Sequence, residues 1–195
     1  MFYWMIWGLA RVLFFFRARL IATGVENIPK KGSLILVSNH ISGFDPIAIG
    51  LCVSKRRLRY MAKIELFRFF LFGWFLRGIG VFPVKRDEIT KDFLKLTFSI
   101  LRSGQALLIF GEGTRNRSNQ PLLPLKPGFA YLAENTPAPL IPVFISGSRE
   151  ITSWKLRPTI QVQFGEMIPP GPKQSLLTKT ESSLTQFAGL FHEPK

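Results

Sequence analysis

Short apolar runs separated by polar or glycine-bearing loops recur along this 195-residue chain. Ser33-Leu34-Ile35-Leu36-Val37-Ser38, Arg59-Tyr60-Met61-Ala62, Gly80-Val81-Phe82-Pro83-Val84, Ala106-Leu107-Leu108-Ile109-Phe110, Leu140 to Ile145 and Thr159 to Phe164 read as strands. Runs that stay apolar at successive positions suit strands covered on both faces. Between them the period lengthens. Asp45 and Pro46 open a helix through about Val53, and Pro127 and Gly128 open another through about Asn135. Ile89, Phe93, Leu96 and Ile100 follow helical spacing in a helix capped by Asp87 and ending near Gly104. The tail from Ser175 is polar and weakly helical and reads as a surface helix. Strands alternating with helices predict an α/β single domain, a mostly parallel central sheet flanked by helices. No internal repeat or low-complexity linker divides it.

Two stretches depart from this alternation. Met1 to Phe16 is almost wholly apolar and aromatic, broken by Arg11 and followed by Arg17 and Arg19. It is shorter than the ~20 apolar residues that a spanning helix needs. No basic residue precedes it and no small-residue cleavage site follows, which argues against a signal peptide. The pattern predicts an N-terminal interfacial membrane helix, its aromatics at headgroup level and its arginines on lipid phosphates. Packing onto the domain's own core is the alternative. Residues 1–20 are set apart as a membrane-associating segment, and 21–195 as the folded domain. The second stretch, Ile64 to Leu76, is aromatic with sparse charge; a buried helix pair, an acyl-chain wall and a second membrane contact all fit it.

Charge sharpens this picture. The chain has 26 Lys and Arg against 12 Asp and Glu, a net charge of +14, and 19 phenylalanines. That combination suits a protein resting on an anionic surface or handling phosphorylated ligands. Nucleic acid is the general alternative for a basic chain, but no RRM, KH, zinc or helix-turn-helix signature is present. One cysteine, Cys52, rules out an intrachain disulfide. Its apolar neighbours mark it as a small buried residue rather than a reactive thiol. Two widely separated histidines and one cysteine suggest no metal site.

Candidate chemistry gathers in two loops that leave strands in the same manner. The first is Asn39-His40-Ile41-Ser42-Gly43-Phe44-Asp45, the second Phe110-Gly111-Glu112-Gly113-Thr114-Arg115. If both strands are central and parallel, both loops open on one sheet edge, where ligands of α/β folds bind. His40, Asp45, Glu112 and Arg115 then share one cleft. A histidine with a carboxylate nearby suits an oriented general base. Asp45 as a helix cap, and the second loop as an ordinary turn, are the plainer readings; a capping carboxylate can still contact the imidazole.

These motifs resemble those of the lysophosphatidic acid acyltransferase (1-acylglycerol-3-phosphate O-acyltransferase) family of the glycerolipid acyltransferase superfamily. Four blocks match in order over about residues 24 to 147. They are the NHxxxxD block at Asn39–Asp45, a second at Gly80-Val81-Phe82-Pro83-Val84-Lys85-Arg86, an FPEGTR-like block at Phe110–Arg115, and a short fourth at Leu140-Ile141-Pro142-Val143. Two positions depart: Gly111 stands where the family usually has proline, and Lys85 where bacterial relatives often carry an acid.

The resemblance implies that residues 21–195 form an acyltransferase domain of phospholipid biosynthesis. Its reaction would move a fatty acyl group from acyl-CoA or acyl carrier protein to the free hydroxyl of lysophosphatidic acid, giving phosphatidic acid. It implies catalytic roles for His40 as base and Asp45 as its partner, with the substrate alcohol as nucleophile and Ser42 a turn residue. Arg86 and Arg115 would bind the acceptor's phosphate, with Lys63 and Lys126 as secondary candidates. Glu112, Gly113 and Thr114 complete the substrate-binding set, and amides near Gly113 would stabilise an oxyanion. No cofactor beyond the acyl donor, no metal and no nucleic acid is implied; the expected partner is membrane lipid, at the cytoplasmic face. Another lysolipid acceptor, a lyso-ornithine lipid or lysophospholipid, and a non-catalytic lipid-binding relative remain the alternatives.

Overall fold

The computed structural model describes residues 2–53, 56–84, 90–153 and 156–191, apart from the side chains at 2 and 72. Seven strands form one sheet in the order β1-β7-β6-β2-β5-β3-β4. They are β1 (Arg19–Thr23), β2 (Leu34–Ser38), β3 (Leu58–Lys63), β4 (Val81–Val84), β5 (Ala106–Phe110), β6 (Leu140–Ser146) and β7 (Thr159–Phe164). Strands β2 to β6 all run parallel, while β7 pairs antiparallel with β6 and carries β1 parallel to itself. The sheet is therefore mostly parallel, as the alternation predicts.

The apolar runs stay apolar because both faces of the sheet are covered. Leu34 and Leu36 of β2 face one core with Ala106 and Leu108 of β5; Ile35 and Val37 face the other with Leu107 and Ile109. Four consecutive residues of each strand alternate between two dry layers, which is the period-2 geometry of a strand. The first layer holds α1 (Phe2–Arg17), α2 (Asp45–Cys52) and α3 (Phe70–Gly78); the second holds α4 (Lys91–Arg102), α5 (Gly128–Glu134) and α6 (Lys173–Phe191).

Several elements differ from expectation. Helix α4 begins at Lys91 and is capped by Thr90, whose hydroxyl accepts the Phe93 N–H at 3.2 Å. Asp87, the expected cap, and Ile89 lie outside the described residues. Helix α6 is a surface helix, as expected: most of its positions face solvent, one stripe of Leu176, Thr180, Leu184 and Ala188 is buried, and Phe191 stacks on Phe144 of β6. Its apolar pattern is weak because two of those four inward residues are small or polar. The strand β1 begins at Arg19, so residues 19 and 20 belong to the sheet.

Helix α1 packs one side onto the domain and leaves the other exposed. Tyr3, Phe14 and Ala18 are buried, Trp7 stacks on Tyr60, and Arg11 donates to the Leu51 carbonyl at 2.9 Å. Its other side exposes Trp4, Met5, Leu9, Val12, Leu13, Phe15 and Phe16. Among the described residues no helix is long and apolar enough to cross a membrane. The aromatic stretch 64–76 becomes a 3-10 turn (Ile64–Phe67) and α3, tucked inward by Phe67, Phe75 and Leu76. Cys52 is half-buried, and burial pushes its thiol up to about 12, which keeps it protonated.

Candidate active site

Strand β2 lies at the centre of the seven-strand sheet, between β5 and β6 and parallel to both, and its carboxyl end delivers Asn39 and His40. The Asn39 side chain continues the ladder that the backbone abandons. Its Oδ1 accepts the Ile145 N–H at 2.8 Å and its Nδ2 donates to the Ile145 carbonyl at 2.9 Å. On the other flank, the Gly111 N–H donates to the Ser38 carbonyl at 2.9 Å, and the Asn116 N–H to the His40 carbonyl at 2.7 Å. His40 is thereby fixed from both neighbouring strands before its imidazole makes any contact.

The imidazole is held as firmly. His40 Nδ1 lies 2.8 Å from Asp45 Oδ2, and its ring stacks on Phe110 at 3.9 Å between centroids, 16° from parallel. Both groups are buried, Asp45 completely. Asp45 sits in the first turn of α2, yet its carboxylate does not cap that helix, whose N-cap position is Phe44 without a side-chain cap bond. It turns back instead: Oδ2 also accepts the Ile41 and Ser42 N–H groups at 2.7 and 2.8 Å. Oδ1 accepts the Ser148 hydroxyl at 2.5 Å. A buried carboxylate needs such partners, and four of them hold this one in a fixed position. The expected capping role is corrected accordingly: the loop amides and the imidazole take the oxygens that a cap would use. With Nδ1 engaged by a carboxylate, Nε2 is the nitrogen left to exchange a proton.

Glu112 joins them from the end of β5. It is almost completely buried, and Oε1 accepts the His40 N–H at a long 3.4 Å, while Oε2 has no hydrogen bond of normal geometry. Burial raises its pKa to about 7, and the Asp45 charge adds to the rise; the nearby His40 and Leu123 amides and Arg149 oppose it. Thr114, Gly113 and Arg115 are exposed on the same loop, and the Arg115 guanidinium lies over Gly43, where a Cβ would sit 3.2 Å from Nη2. Gly113 has φ +68, and a side chain there would strike Lys126. Its N–H closes a turn on the Phe110 carbonyl at 3.0 Å, so this amide is not free to face an oxyanion.

Lys63 ends β3, parallel to β5, and stands exposed on the same edge. Arg86, two residues past β4, lies outside the described residues. Ser42 accepts the Phe44 N–H at 3.3 Å, the bond of a turn residue. Gly111 suits its place because a Cβ would come within 3.0 Å of Leu125 and 3.1 Å of Val37. The sequence pattern misses Ser148 and Arg149. Ser148 lies two residues beyond β6, at the carboxyl end of a strand beside β2; that position is the signal that points to it. Arg149 donates to the Asn116 and Ser118 carbonyls at 2.6 and 3.0 Å and braces the loop behind Glu112.

A buried His–Asp pair thus stands at the carboxyl edge of a parallel sheet, beside a loop that carries Arg115, an arrangement suited to an oriented general base. The family model described as Acyltransferase matches residues 19–146, and the chain belongs to that family. Similar proteins named 1-acyl-sn-glycerol-3-phosphate acyltransferase occur in Bacillus subtilis, 33% identical over 122 residues (63% of this chain, 60% of that one), and Streptococcus pneumoniae, 28% identical over 145 residues (73% and 53%). The chain thus spans little more than half the length of these relatives. The crystal structure of the 1-acyl-sn-glycerophosphate (LPA) acyltransferase PlsC from Thermotoga maritima has the same fold, with a TM-score of 0.80 and 22% identity, over 98% of this chain and 80% of that one.

Proposed function

We propose that the chain transfers a fatty acyl group from a thioester, acyl-CoA or acyl carrier protein, to the free hydroxyl of lysophosphatidic acid, giving phosphatidic acid. The observation that carries this reading is the His40–Asp45 pair at 2.8 Å, buried and locked from four sides. Binding a lipid requires no oriented base; activating an alcohol does. The names of the relatives supply the substrate class.

His40 Nε2 takes the proton of the acceptor hydroxyl as its oxygen attacks the thioester carbon. The carbonyl becomes an oxyanion, which collapses and expels the thiolate. The thiolate then takes the proton from the imidazolium and leaves as the thiol. Asp45 stabilises the charged imidazole through Nδ1 and holds Nε2 in line, as the acid does in a serine triad. The ester forms directly, without an acyl-enzyme and without a cofactor beyond the donor. Arg115, with Lys63 and Arg86, binds the acceptor's phosphate, and Glu112, Gly113 and Thr114 shape the acceptor site. The exposed apolar ridge of α1 rests residues 1–20 on the cytoplasmic face of a membrane. The +14 charge favours anionic lipid and the acidic donors alike.

The test is product formation by purified protein with lysophosphatidic acid, lyso-ornithine lipid and neutral lysophospholipid, each offered acyl-CoA and acyl carrier protein. Phosphatidic acid as the preferred product supports the reading. Turnover of another lysolipid alone overturns the acceptor, and no turnover by folded protein overturns the enzyme. Arg115→Ala is expected to raise the acceptor's KM.

A further inference from the structure

The turn Ile64–Phe67 and helix α3 expose a larger apolar surface than their role in the core requires. Phe69, Phe70, Leu71 and Trp74 are 75, 82, 78 and 58% exposed, and Ile64 and Leu66 over 40%. Water-facing apolar residues in isolation are ordinary, but six in one short segment form a patch of the kind that marks a contact surface. Phe67, Phe75 and Leu76 anchor the segment to the core.

Two further facts say what covers the patch. First, its rim is basic: Lys63 precedes it, Arg68 lies within it, and Arg77 closes it with its guanidinium 5.2 Å over the Phe67 ring, against a single acid, Glu65. A second copy of this chain would set these cations against themselves, whereas an anionic bilayer would pair with them. Second, the patch begins where β3 ends, on the sheet edge that carries His40 and Glu112, and it shares its layer with the exposed ridge of α1. Tryptophan and phenylalanine with flanking arginines are the composition of the lipid interface.

We propose that the 64–74 segment is a second membrane contact, which inserts its aromatics into an anionic bilayer beside the mouth of the His40 cleft. With α1 it would seat the helix layer at two places and hold the cleft mouth against the lipid surface. The inference rests on the membrane reading above, and the experiment separates the two.

In a Cys52→Ser background, a single cysteine at Phe15→Cys on α1 or Phe70→Cys on the patch is labelled with an environment-sensitive fluorophore. Vesicles of equal phosphatidylcholine and phosphatidylglycerol are then added. The expected result is a blue shift at both positions, with quenching by acyl-chain-brominated lipid. A shift at 15 alone overturns the second contact and leaves the membrane reading intact; a shift at neither position overturns both. A label at 70 that is already shielded before vesicles are added overturns lipid as the occupant. Phe70→Asp combined with Trp74→Asp provides the second readout. It should weaken vesicle binding by at least about tenfold and lower turnover of bilayer-embedded acceptor, while short-chain acceptor dissolved as monomers turns over as before. Equal loss on both acceptors would place these residues in the cleft and overturn the proposal.

Discussion

The Ser148 hydroxyl donates to Asp45 Oδ1 at 2.5 Å, across 103 positions of sequence, with both side chains fully buried. The bond ties the end of β6 to the start of α2 and completes the set of donors around the carboxylate. Ser148→Ala would leave Oδ1 buried without a partner, at a cost of about 1–3 kcal/mol in stability. Turnover should fall by roughly 5–10-fold as the imidazole's partner loses its fixed position. Thermal unfolding and kcat, measured on the same preparation, check both effects.

Asp45→Asn tests charge apart from shape. The asparagine oxygen can take the bonds of Oδ2, and its NH2 can donate to Ser148, so the fold should survive within about 1 kcal/mol. The negative charge that stabilises the imidazolium is lost. Turnover should drop by about 10²-fold or more, with little change in acceptor KM. Steady-state kinetics alongside a melting curve distinguish this from simple unfolding.

Glu112 makes stability depend on pH. Its folded-state pKa is raised from 4.5 to about 7 by burial, so its contribution is fully present below about 4.5 and is lost as pH rises through about 7. Glu112→Gln removes that titration while keeping the shape. The variant's melting temperature should gain on the parent by a few degrees between pH 5 and pH 8. A constant difference across this range would show that Glu112 is ionised throughout.

Gly111 departs from the proline usual in the resembling family, and its surroundings have closed around the glycine. Leu125 and Val37 occupy the space of a Cβ, and the Gly111 N–H is spent on the Ser38 carbonyl. Gly111→Pro should therefore destabilise the protein by about 1–3 kcal/mol, and Gly111→Ala by less because it keeps the N–H. Denaturant midpoints of the two variants separate the steric cost from the lost hydrogen bond.

The elements most legible in the sequence are those whose burial is uniform. Strands β2 and β5 read as apolar runs because each lies between two dry layers, whereas β7, which also coincides with its expected span, alternates buried Ile160, Val162 and Phe164 with the less buried Thr159, Gln161 and Gln163. Helix α6 reads only weakly as amphipathic because its buried stripe includes Thr180 and Ala188, which carry little hydrophobic signal. Strand β1 was hidden behind the aromatic helix that precedes it. In the site, the two loops announced His40, Asp45 and Glu112 and their common edge. The turn of Asp45 away from its own helix was not legible, since it depends on the conformation of Ile41 and Ser42. Ser148 is marked in the sequence only by its place after a strand, because its partner is 103 positions away and comes close only through the pairing of β6 with β2.

The most direct measurement of the central claim is acyl transfer to lysophosphatidic acid by the purified chain and by His40→Ala, at equal melting temperature. The base reading predicts a fall in turnover of about 10²–10⁴-fold with acceptor binding retained. Turnover by the alanine variant equal to that of the parent would contradict it.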